Sequence, residues 1–106
     1  MVSFNDITFN KTSIYNGEIE LYNPNLGVFK LIVVYGDTVN GAGPSKNQYQ
    51  VSLKNNLNKY IQLSDYDDTI GYVSMEEINE FIKLVKTTND LNQIKNHFRD
   101  NFSDED

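Results

Sequence analysis

Residues 70–86 read Ile70-Gly71-Tyr72-Val73-Ser74-Met75-Glu76-Glu77-Ile78-Asn79-Glu80-Phe81-Ile82-Lys83-Leu84-Val85-Lys86, and the chain changes character within them. Ile70 to Val73 is short and β-like. Ser74 with Glu77 three residues on is a capping box, in which each side chain meets the other's orphan backbone N–H. Apolar residues then recur at Met75, Ile78, Phe81, Ile82 and Val85, a helical stripe. Glu76, Glu77 and Glu80 fill the first turns and Lys83 and Lys86 the last, as the helix dipole favours. A helix therefore starts at Ser74, and Thr87-Thr88-Asn89 ends it.

Downstream, Leu91, Ile94, Phe98 and Phe102 share one side of a second helix. Upstream, everything reads as strand. Thr12 to Tyr15 and Glu18 to Tyr22 flank Asn16-Gly17, the pair that best suits the two positive-φ positions of a tight hairpin. Asn23-Pro24-Asn25-Leu26-Gly27 is a turn by its chemistry. Val28 to Tyr35 is β-branched and aromatic, broken only by Lys30, and belongs in the middle of a sheet. Gly36 to Asn47 is the one long loop, predicted mobile. Tyr49, Val51 and Leu53 alternate with polar residues as a half-buried strand does. Tyr60 to Ser64 and Ile70 to Val73 pair as a second hairpin across Asp65-Tyr66-Asp67-Asp68.

Strands first and helices last, with no βαβ alternation, predict an α+β fold: an antiparallel sheet of four to six strands followed by two C-terminal helices packed on it. The packing residues are Ile78, Phe81, Ile82, Val85, Leu91, Ile94 and Phe98. A length of 106 residues fits one domain. It is placed at 1–102, with a frayed acidic tail at 103–106.

Charge is divided unevenly. Met1 to Ser64 carries five lysines against four acids, net +1; Asp65 to Asp106 carries eleven acids against four bases, net −7, which gives the overall −6. Such a field repels nucleic acid and membrane surfaces and attracts basic partners. No apolar run approaches the roughly 18–20 residues that span a bilayer. The first residues show neither a basic n-region nor an apolar h-region, so no secretory signal is expected. With no cysteine, disulfides and thiolate sites are excluded, and the expected compartment is the cytoplasm.

Three motifs invite chemistry. Asp65 to Glu77 resembles an EF-hand calcium loop, with Gly71, Val73 and Glu77 at suitable mutual offsets. Counting back from Gly71, however, puts Tyr66 and Ile70 where oxygen ligands belong, so no calcium site is predicted. Gly41-Ala42-Gly43-Pro44-Ser45-Lys46 holds the ingredients of a phosphate cradle without the P-loop spacing or a following helix. It reads as a flexible loop. His97 is the only histidine, next to Phe98, and reads as structural. No spacing singles out a carboxylate pair for acid–base work. The expectation is a non-enzyme with no cofactor and no metal.

Seven tyrosines are many for this length. Most alternate with polar residues and are assigned to sheet packing. Tyr66 stands apart at a turn tip among Asp65, Asp67 and Asp68. An exposed aromatic ringed by carboxylates suits an Arg-rich partner, through stacking and charge together. The predicted partner-binding residues are Asp65, Tyr66, Asp67, Asp68, Glu76, Glu77 and Glu80.

In size, acidity, lack of cysteine and lack of a catalytic motif the chain resembles the small acidic inhibitors that phages and mobile elements make against host nucleases, anti-restriction and anti-CRISPR proteins among them. The resemblance implies a nucleic-acid mimic whose carboxylates occupy a basic channel in a protein partner. It implies no direct nucleic-acid or membrane contact. Three other readings stand beside it: an immunity protein or antitoxin neutralising a basic toxin, a calcium-responsive binding module, and a virion structural protein.

Overall fold

The apolar run predicted for the middle of a sheet occupies it. The computed structural model describes residues 2–101. Five strands, β1 (Asn10–Lys11), β2 (Tyr15–Asn23), β3 (Gly27–Tyr35), β4 (Tyr49–Lys54) and β5 (Thr69–Val73), lie side by side in chain order, each antiparallel to the next. Helices α1 (Met75–Thr87) and α2 (Leu91–Asn101) follow, so the fold is α+β. A single 3-10 turn, Phe4–Asp6, precedes β1. Phe102 and the acidic residues 103–106 lie outside the described residues.

Alternation along the strands sorts the sheet into two faces. Leu21, Phe29, Leu31, Val33, Val51 and Leu53 are buried, in one core with Ile78, Phe81, Ile82 and Val85 of α1 and Ile94 and Phe98 of α2. The Phe81 and Phe98 rings lie 4.7 Å apart between centroids. Leu91 does not join them. At the first residue of α2 it is 38% exposed and borders a surface cleft with Leu26, Val28 and Tyr60.

The capping box forms as the sequence dictates. Glu77 N–H donates to Ser74 Oγ at 3.1 Å, and Ser74 N–H donates to Glu77 Oε1 at 2.8 Å. The other end of α1 is fastened by Asn23, whose side chain is buried. Its Nδ2 donates to the carbonyls of Val85 and Thr88, both at 2.7 Å. Its Oδ1 accepts the N–H groups of Asn25 and Leu26 at 2.7 and 2.8 Å, closing the predicted β2–β3 turn.

Both other predicted hairpins need correction. Asn16 and Gly17 lie inside β2, opposite Val34 and Val33. The reversal is at Thr12–Ile14, where Thr12 N–H donates to Ile14 O at 2.8 Å. Gly17 is there for close approach: a Cβ on it would stand 2.5 Å from Ile7 Cγ2 and 3.0 Å from the Thr8 carbonyl. Likewise β5 pairs with β4 and not with residues 60–64. Thr69–Val73 takes the free edge of β4 along Tyr49 to Ser52. Farther along, Tyr60 bridges Lys54 and Ile61 N–H donates to the Leu53 carbonyl at 2.8 Å, and Ile61 and Leu63 are buried in the core. The Gly36 to Asn47 loop is tied back by the bridges Gly36↔Gly41 and Gly43↔Gln48. Among the described residues no helix is long and apolar enough to cross a membrane.

Candidate functional site: an acidic, tyrosine-bearing sheet edge

The turn before β5 is braced from below. Gln62 Nε2 donates to the carbonyls of Ser64 and Asp65 at 3.0 and 2.9 Å, and Arg99 Nη2 donates to the Ser64 carbonyl at 2.7 Å. Arg99 Nε, buried, stands 3.4 Å from Asp65 Oδ1 as an ion pair without hydrogen-bond geometry. Asp67 turns Oδ1 back to the Asp68 N–H at 2.7 Å. Asp65 and Asp67 are thus partly spent on shaping the turn. All four residues of the turn are exposed, Tyr66 wholly so, and among the described residues the Asp68 carboxylate is not occupied by a bond that shapes the turn.

At the middle of β5 the ladder breaks. Tyr49 pairs with Val73 and Val51 with Ile70, so β5 carries an extra residue, a β-bulge. Tyr72 sits in the bulge at φ +60°, a region where bulky side chains are rare and costly. Its N–H donates to the Asn40 carbonyl at 2.7 Å. Gly71 allows this approach, because a Cβ there would collide with the Asn40 side chain. The outcome is that Tyr72 stands 61% exposed on the same edge as Tyr66. The sequence reading did not single out Tyr72. The signal available was Gly71, since a lone glycine in a strand pattern marks a bulge or a close approach.

Beyond β5 comes the helix start. Asn47 Nδ2 donates to Glu76 Oε1 at 2.7 Å and Asn47 Oδ1 accepts the Met75 N–H at 2.9 Å. The Asn47 hydrogen bond, foremost, holds the Glu76 carboxyl below the usual glutamate range. Glu77 is occupied by the capping box. Glu80 borders a groove of about 350 Å³ with Val2, Ser3 and Lys83.

The seven predicted site residues therefore do not form one patch. Asp65 to Asp68 and Glu76 lie at opposite ends of a five-residue strand, roughly 16 Å at strand rise. In chain order the exposed side chains are Tyr66, Asp67 and Asp68 on the turn, Tyr72 in the bulge of β5 and Glu76 in the first turn of α1. Elsewhere, the His97 ring packs on Phe81 at 5.6 Å and on Phe98 at 5.0 Å. The Gly41 to Lys46 segment puts Gly43, at φ +90°, against the Tyr35 ring. Burial raises the Tyr35 and Tyr49 hydroxyls above the ordinary tyrosine value. Among the described residues no three His, Cys, Asp or Glu side chains converge as metal ligands. Comparisons with protein-family models, with curated proteins and with solved structures find no match.

Proposed function

We propose that this protein is a small acidic, non-enzymatic inhibitor, encoded by a phage or mobile element. It binds the basic nucleic-acid surface of a host defence nuclease, of the restriction or RNA-guided type, in the cytoplasm. The observation that carries the reading is Tyr66, wholly exposed on a braced turn and flanked by exposed carboxylates. An aromatic in that setting gains from stacking on a guanidinium while its neighbours pair with the charge. Tyr72 extends the same edge with a second aromatic, displayed by a strained bulge. Carboxylates about one strand length apart can meet several cationic side chains of a channel at once, each pair gaining as water is excluded.

The test is inhibition of DNA cleavage by a panel of purified restriction and RNA-guided nucleases. The reading expects at least one to be inhibited, with excess nucleic acid relieving the block because the two share a site. If inhibition appears but nucleic acid does not compete, mimicry is wrong. If the panel is untouched and a basic toxin encoded beside the gene is neutralised instead, the immunity-protein reading replaces this one.

A further inference from the structure

The two edges of the sheet are finished differently, and the second edge carries an inference independent of the acidic site. β5 is interrupted by its bulge, and the Tyr72 N–H is already taken by the Asn40 carbonyl, two features that disfavour a further strand. At the other edge, β1 covers only two residues of β2, through the pairs Asn10↔Asn16 and Lys11↔Tyr15. Thr12 N–H bonds Ile14 O, so 12/14 is a hydrogen-bonded pair, and by the alternation of an antiparallel ladder 10/16 is another. Every second residue after Asn16 then points its N–H and C=O to the same side. Those residues are Glu18, Glu20 and Tyr22. All three are exposed, and among the described residues no backbone hydrogen bond outside the strand ladders reaches them.

We infer that β2 is a docking edge that accepts an extended segment of a partner protein by strand addition, with Lys or Arg alternating with β-branched residues. Three outward backbone sites, spaced roughly 6.6 Å apart, match a strand of about five residues. The charges choose the occupant. Lys30, opposite Glu20 in register, reaches diagonally to Glu18 at 3.6 Å and leaves Glu20 as the carboxylate facing an incoming strand. A second copy is a poor fit: pairing centred on Ile19 or Glu20 sets glutamate against glutamate. Centring on Leu21 brings in Pro24, which has no N–H. A lysine opposite Glu20 is favoured instead, and apolar residues on the incoming strand's other face lie beside half-buried Ile19.

Amide hydrogen exchange by NMR tests this, with the peptide acetyl-(Lys-Val)3-Lys-amide as probe at saturating concentration. Exchange at Glu18, Glu20 and Tyr22 should slow by about tenfold or more, with no change at Tyr72. The same peptide N-methylated at alternate residues should have no effect. Glu20→Pro removes one outward N–H at a position where an edge strand tolerates proline, and it should keep the melting temperature while losing the protection. Should Glu20→Pro fail to fold, Glu20→Lys replaces it and should transfer the preference to the Glu-Val counterpart peptide. No slowing with the Lys-Val peptide, or equal slowing with its N-methylated form, overturns the inference. Slowing that follows the concentration of the protein alone also overturns it, in favour of a second copy.

Discussion

The backbone N–H of Tyr72 is bonded to the carbonyl of Asn40 at 2.7 Å. With the Tyr72 hydroxyl 3.5 Å from Asn40 Oδ1, it ties the Gly36 to Asn47 loop to the edge strand at the bulge, where the Tyr72 ring is exposed. The ring is 61% exposed, so burial of the Tyr72 side chain does not offset the backbone strain.

Tyr72→Gly separates the two roles. Glycine adopts φ +60° freely, so the melting temperature should stay level or rise, the relieved strain being on the order of 1 kcal/mol. Affinity for the partner should fall. Loss of stability together with affinity, read by thermal denaturation beside a binding titration, would mean that Tyr72 is structural.

Asn23→Asp should be strongly destabilising, although it changes so little in size. A carboxylate still accepts from Asn25 and Leu26 but cannot donate to the carbonyls of Val85 and Thr88, leaving buried acceptors bare at about 1–3 kcal/mol each. Chemical denaturation of the variant reads the loss directly.

Phe81→Ala removes a fully buried ring that packs on Phe98 and His97, and should cost about 3–5 kcal/mol. Equilibrium denaturation that shows less than about 1 kcal/mol would mean the core closes over the gap.

Legibility followed the range of the interactions. The capping box, the helical stripe and the apolar β3 run are local patterns, and each formed as read. Asn16-Gly17 failed because the glycine serves a contact with Ile7 and Thr8, which sequence neighbours do not reveal. The 60–64 segment failed as a partner of β5 because both segments pair with β4, Thr69–Val73 along Tyr49 to Ser52 and Tyr60 at Lys54, a long-range arrangement that local pattern does not show. Tyr66 could be singled out from its charged neighbours alone. Tyr72 has no charged residue beside it, and its one local signal is Gly71; the bulge forms against Asn40, thirty-two residues away.

The Glu76–Asn47 bond predicts a pH dependence. A carboxyl whose folded pKa is depressed adds stability that is present above its unfolded value of 4.5 and lost as pH falls through the lower folded value. Asn47→Ala should therefore lower the melting temperature more at neutral pH than well below 4.5. An equal drop at both would assign the effect to the Met75 bond alone.

The central claim is tested most directly by the dissociation constant of the complex with an inhibited nuclease, measured at low and high salt for the wild-type protein and for Tyr66→Ala/Asp68→Lys. Both side chains are exposed, so the double variant should fold normally. Wild-type binding should weaken steeply with salt, and the variant should lose about tenfold or more at low salt, with a shallower salt dependence. Equal affinity of the two proteins, unmoved by salt, would contradict it and leave the acidic edge as a solvated surface.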